Sequence, residues 1–155
     1  MISEITIQKV SKEDTMLIND IITHYIEDPD EGSQPATLDH IQKLVGDNRS
    51  CLFAAILNDE VVGYTLAYHF PSLYATENIG YLYDIEVRED HRKKGIGRML
   101  VEAVTAQLEK EGVKELWLGT AIDNWAGQAL FSSTGAARTD ETFYDYTYYL
   151  PVSKK

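Results

Sequence analysis

The chain has 155 residues, 44% hydrophobic and 25% charged, enough for one buried core and ordinary for a globular domain. Asp and Glu number 25 against 14 Lys and Arg, and the net charge of −11 disfavours nucleic acid and anionic membrane while attracting cations. Cys51 is the single cysteine, so no internal disulfide can form, and four scattered His without a CxxC argue against a metal site.

No apolar run nears the roughly 18 residues of a membrane span. The start, MISEITIQKV, lacks the basic end and apolar run of a signal peptide. A cytoplasmic protein with one domain, 1–155, is expected.

Along the chain, Ile5 to Val10 alternate like a short strand. Ser11 followed by Asp14 predicts a helix start, with the helix running to about Tyr25. Glu27 to Pro35 is a loop by composition. A second helix is predicted from Leu38 to about Val45, capped by Thr37. Two apolar strands, CLFAAIL and VVGYTLAYHF, flank a turn at Asn58, Asp59 and Glu60 and form a hairpin. IGYLYDIEV is a further strand. After the basic loop, Ile96, Met99, Leu100, Ala103, Val104 and Leu108 recur at helical spacing, and Gly112 ends that helix. ELWLGT is a strand, AGQALFSSTG a short helix closed by Gly135, and Phe143 to Leu150 a terminal strand. The order β-α-α-β-β-β-α-β-α-β combines hairpins with crossovers, so the class is α/β (α+β) with a mixed central sheet.

The stretch RKKGIG joins a strand to a helix. Helix starts carry unpaired N–H groups and partial positive charge, and glycine admits a ligand close to them. Arg92, Lys93, Lys94 and Arg98 add local positive charge to an acidic chain. The spot suits a diphosphate. It is not a P-loop, because no GK[ST] follows, and it lacks the third glycine of a dinucleotide fingerprint.

With its preceding strand, VREDHRKKGIG resembles the acetyl-CoA-binding motif of the GCN5-related N-acetyltransferases (GNAT). Arg92, Gly95 and Gly97 match its [QR]-x-x-G-x-[GA] core, and Val87 stands five residues before Arg92. A downstream Asn, Tyr, Gly spacing is met by Asn124, Phe131 and Gly135, with Phe in place of Tyr. The resemblance implies that fold, with helices on both faces of the sheet, and acetyl-CoA as cofactor. It assigns the pantetheine arm to backbone groups of Ile85 and Val87. The pyrophosphate falls to N–H groups from Lys93 through Lys94, Gly95, Ile96 and Gly97 to Arg98, and the thioester end to Asn124.

Acetyl transfer to an amine needs a proton acceptor. Asp84 and Glu86, two apart on one strand, share a face opposite Tyr83, Ile85 and Val87, and are the candidate catalytic residues. Phe131 cannot protonate a leaving thiolate. The finer resemblance, in YLYDIEVREDHRKKGIG, is to the aminoglycoside 3-N-acetyltransferases of this fold. It implies a cationic small-molecule amine as partner, with Asp84 beside it. Glu27 and Asp28, with Asp30 and Glu31, form an acidic loop that could border such a cleft, and Asp145, with Asp140 and Glu141, could line the other wall. Tyr64, Tyr68, Tyr74 and Tyr81 are candidates to stack on sugar rings. A polyamine, a protein N-terminus, a lysine, or a non-catalytic acetyl-CoA sensor are the alternatives. The aromatic end FYDYTYYL suits a homodimer interface.

Overall fold

A computed structural model describes residues 3–26 and 34–151. The elements run β1 (Thr6–Lys9), α1 (Thr15–Tyr25), α2 (Leu38–Gly46), β2 (Ser50–Leu57), β3 (Glu60–Pro71), β4 (Asn78–Val87), α3 (Ile96–Lys110), β5 (Val113–Trp117) and α4 (Trp125–Ser133). The five strands form one sheet in the order β1-β2-β3-β4-β5. The first three pairings are antiparallel and β4–β5 is parallel, so the expected mixed sheet is present.

Local chemistry accounts for the element ends. Thr37 accepts from the His40 N–H at 3.2 Å and caps α2 as predicted. At α1 the roles reverse: the Asp14 carboxylate accepts from both the Ser11 N–H and the Ser11 hydroxyl. The hairpin turn has two residues, Asn58 and Asp59, both at positive φ (52° and 64°), and Glu60 already belongs to β3. Gly112, at φ +80°, follows the end of α3.

Two apolar clusters sandwich the sheet. On one face α3 contributes Ile96, Leu100, Val104 and Leu108, packed on Phe53, Val62, Ala67 and Leu82. On the other α1 and α2 contribute Ile18, Ile21, Tyr25 and Ile41, packed on Leu52, Ala54, Val61 and Tyr64. Alternation along each central strand feeds both clusters, which is why β2 and β3 read as nearly continuous apolar runs.

The predicted terminal strand does not form. Residues 136–151 carry no helix or strand and are exposed throughout. Phe143 to Leu150 has the aromatic alternation of a strand, but a strand needs a paired edge, and the path from α4 does not return this segment to β5.

No helix among the described residues is long and apolar enough to cross a membrane.

Candidate active site

The site begins where β4 and β5 part. They pair from Asn78↔Val113 to Tyr81↔Trp117 and no further, while β4 continues to Val87. The β5-side edge of residues 82–87 therefore has no strand partner among the described residues. This open backbone edge includes Ile85 and Val87, the residues assigned to a pantetheine arm. The Val87 carbonyl already accepts from Arg92 Nε at 3.0 Å, which ties the basic loop to the strand end.

At the far end of that slot lies the start of α3. Gly95 is its N-cap at φ +80°, and it offers no side chain to the first-turn N–H groups. A Cβ there would meet nothing within 4 Å, so its glycine is required by conformation and leaves room beside the helix start. Lys93 is also at positive φ, 62°. Gly97 has a different reason: a Cβ would stand 3.1 Å from Leu130 Cδ2, so this glycine lets α4 pack on α3. Ile96 is buried in the α3 core and only its backbone can serve a ligand. Arg98 sends its guanidinium to the Ser133 carbonyl (3.0 Å) and to Glu102, while Arg92, Lys93 and Lys94 are exposed cations of the loop. An uncapped helix start, an open left-handed glycine and a free strand edge together fit a nucleotide with a diphosphate and an extended arm.

Asn124 is the N-cap of α4. Its Oδ1 accepts from the Gly127 N–H at 3.0 Å and its Nδ2 donates to Thr120 Oγ1 at 2.8 Å. A side chain at Gly127 would collide with it. Both polar atoms of Asn124 are thus engaged in joining the 120–124 loop to the start of α4.

The other wall is built from side chains. Pairing between β3 and β4 passes from Leu66↔Asp84 to Ala67↔Leu82, which makes Tyr83 the extra residue of a bulge. The bulge resets the alternation. Leu82 before it and Ile85 and Val87 after it all pack against the α3 core. Asp84 and Glu86 share the opposite face, as expected. Strict alternation would put Tyr83 opposite them, and the bulge overturns that: its ring packs on Tyr68 and Tyr81, at 5.8 and 6.1 Å between centroids. Tyr81 in turn stacks on Trp117 at 4.2 Å. Tyr68, Tyr83, Tyr81 and Trp117 form a continuous aromatic row with Tyr83 and Trp117 well exposed.

Asp84 is half-buried and accepts from the Tyr64 hydroxyl at 2.5 Å. Tyr64 is buried, its ring edge-on to Tyr25 at 5.2 Å, so it is unavailable for stacking on a ligand. Burial, then the bond to Asp84, pushes the Tyr64 hydroxyl far above the ordinary tyrosine range. It stays a donor and fixes the carboxylate. Burial likewise pushes Tyr25 up to about 12, and its hydroxyl donates to the Val61 carbonyl at 2.7 Å. Glu86 is exposed beside them. Asp20, which the sequence reading did not single out, accepts from the Val61 N–H at 2.7 Å and adds a third carboxylate on this face.

Not every expected residue joins the site. Glu27 and Asp28, with Asp30 and Glu31, lie outside the described residues. Asp145 sits in the exposed 136–151 segment, as do Asp140 and Glu141. Tyr74 projects from an exposed loop. The Tyr25–Tyr64–Asp84 chain and the placement of Tyr83 had no sequence signal beyond their aromatic identity, because both depend on register and on the bulge.

Residues 18–136 match the acetyltransferase (GNAT) family. The chain is 29% identical over 97 residues to N-acetyltransferase family 8 member 3 of Mus musculus, covering 63% of this chain and 43% of that protein. It is 43% identical over 54 residues to the [ribosomal protein bS18]-alanine N-acetyltransferase of Escherichia coli K12, covering 35% of this chain and 36% of that one. It thus spans less than half the length of these curated relatives. A similar fold is seen in an aminoglycoside acetyltransferase from an uncultured soil metagenomic sample, with TM-score 0.76 and 23% identity over 92% of this chain and 95% of that one.

Proposed function

The chain belongs to the acetyltransferase (GNAT) family, and on that premise we propose that it moves the acetyl group of acetyl-CoA to a primary amine of a cationic small molecule of the aminoglycoside type. The observation that carries this reading is the Tyr64-fixed Asp84, set on one face with Glu86 and the Tyr68–Tyr83–Tyr81–Trp117 row. Carboxylates bind ammonium groups, and aromatic faces suit sugar rings and cations. The fold shared with an aminoglycoside acetyltransferase and the net charge of −11 agree with it.

Acetyl-CoA supplies the activated thioester. The chain's residues do the rest. N–H groups of Lys93 through Arg98 hold the diphosphate, and the open edge of β4 at Ile85 and Val87 holds the arm as an added strand. Asp84 accepts the proton of the attacking amine, directly or through one water, and Tyr64 keeps its carboxylate in place. Glu86 neutralises a second ammonium of a polycation. A backbone N–H on the open β4 edge bonds the developing oxyanion. Phe131 offers no proton, so the thiolate leaves as such or takes a proton from water.

A second reading is transfer to a protein N-terminus, favoured by the 43% identity over 54 residues to the ribosomal alanine acetyltransferase. Release of free CoA thiol decides between them. The panel holds gentamicin- and kanamycin-type aminoglycosides, spermidine, a peptide with N-terminal alanine and a lysine peptide. Turnover with aminoglycosides alone supports the first reading. Turnover with the alanine peptide alone transfers the site to the second.

A further inference from the structure

The acceptor face continues past the carboxylates onto β5. The apolar cluster under α1 and α2 draws on β2 and β3 and takes no residue from β4 or β5. On β5, Val113 and Leu116 pack toward α3, and a Cβ on Gly80 would meet both. Glu115 and Trp117 therefore share the opposite face, the one that carries Asp84 and Glu86. Both are exposed.

Trp117 is a plate ordered in advance. Tyr81 lies against one side of its indole, with centroids 4.2 Å apart and planes 29° from parallel. The stack fixes the ring, yet 48% of the residue stays exposed. A ring already ordered loses little side-chain freedom when a ligand lands on it. Glu115 stands beside Ile79 and Trp117 beside Tyr81, so a carboxylate and a plate sit together at the end of the aromatic row remote from Asp84. Asp84 lies five residues beyond Ile79 on β4. At ~3.3 Å per residue, with the bulge taken into account, the two carboxylate stations are roughly 15 Å apart. Tyr83 and Tyr81 lie between them.

We propose that Trp117 and Glu115 form a distal acceptor subsite, which takes an amino-sugar ring of a polycation whose reactive amine is at Asp84. The proposal rests on the acceptor reading above and adds a length requirement to it. The face of the distal ring lies on the indole, and its ammonium group is attracted by both the indole and Glu115. A two-ring acceptor with its amine at Asp84 stops short of Trp117, whereas a three-ring acceptor spans the row. A linear polyamine can reach Glu115, but it brings no ring to the plate and loses more freedom when ordered. Trp117 is thus the residue that selects acceptor length.

The test is calorimetry on the full chain saturated with free CoA, titrated with neamine or with kanamycin B, which is neamine carrying a third amino-sugar ring. The native chain is expected to bind kanamycin B about tenfold more tightly than neamine. Trp117→Ala should bring that ratio close to unity. Trp117→Leu, which keeps apolar bulk without a ring face, should do the same and carries the test if the alanine variant does not fold. Glu115→Gln should lower the ratio by a smaller factor, and its difference from the parent should shrink in high salt. Equal affinity of the native chain for the two ligands overturns the proposal. So does a ratio that survives in Trp117→Ala and Trp117→Leu. Release of CoA thiol separates this proposal from the one it rests on. The expected ratio without acetyl transfer supports the subsite and removes the aminoglycoside reaction. Transfer to both ligands at equal affinity keeps the reaction and removes the subsite. Failure of both ligands to bind overturns the two together.

Discussion

The two walls of the site are made differently. The wall along α3 is backbone: an uncapped helix start, a left-handed glycine and a strand edge without a neighbour. The wall beneath α1 is side chain: Asp84 held by Tyr64, Glu86, and a row of rings whose order is set by a bulge. A backbone cradle tolerates many sequences provided the glycine and the strand–loop–helix order remain. A side-chain wall depends on register, and a one-residue slip would turn its carboxylates into the core. On the proposed reading, the first wall takes the cofactor common to the family and the second the amine.

The largest expected effect follows from Asp84→Asn. The amide cannot take the amine's proton, so kcat should fall by roughly 10²- to 10⁴-fold. Acetyl-CoA affinity, measured by calorimetry, should stay within about twofold, since the proposed place of that ligand is the other wall. An Asp84→Asn enzyme with kcat near that of the parent would remove Asp84 from the chemistry.

Gly95→Val inverts that pattern. No side chain would be struck, so the penalty is conformational: a β-branched residue at φ +80° costs about 1–2 kcal/mol or moves the loop. Acetyl-CoA affinity should drop on the order of tenfold, a change of about 1.4 kcal/mol. Gly95→Asn, which tolerates left-handed backbone, should lose much less. Equal losses in the two variants would mean that bulk at this position matters and conformation does not.

Tyr64→Phe should act more mildly and on the acceptor wall alone. It removes a hydrogen bond to a carboxylate, a loss of about 1.5 kcal/mol that should appear as a kcat decrease near tenfold with acetyl-CoA KM unchanged. If instead acetyl-CoA KM rises with kcat intact, Tyr64 supports the slot and not Asp84.

Legibility in the sequence follows the same division. The strand–loop–helix junction proposed to hold a diphosphate was readable as a piece of structure because its requirements are local: Gly95, Gly97 and the helix that follows lie within one short stretch. Even there the reasons differ, since Gly97 answers to Leu130, more than thirty residues away. Most elements were readable from periodicity and caps, including the Thr37 cap and the hairpin at Asn58 and Asp59. The shared face of Asp84 and Glu86 was readable from period two, but the place of Tyr83 was not, because a bulge is a property of two strands at once. Phe143 to Leu150 misled for a related reason. Its propensity for strand is genuine, but propensity names a preference and not a partner.

The smallest effect expected is in alkali, and it probes the packing behind the acceptor wall. Burial pushes the Tyr25 hydroxyl up to about 12 from its ordinary value of 10.0. Between those values the folded chain keeps a proton that the unfolded chain has lost. Stability from this group is therefore complete below about pH 10 and declines as pH rises toward about 12. Tyr25→Phe abolishes the titration and also the bond to the Val61 carbonyl, which should lower stability near neutrality by about 1 kcal/mol. Urea unfolding at pH 8 and at pH 11 would then show a smaller loss between the two pH values in the variant than in the parent. The same loss in both would assign the alkaline sensitivity to the other groups that burial raises, Cys51, Tyr64 and Tyr68.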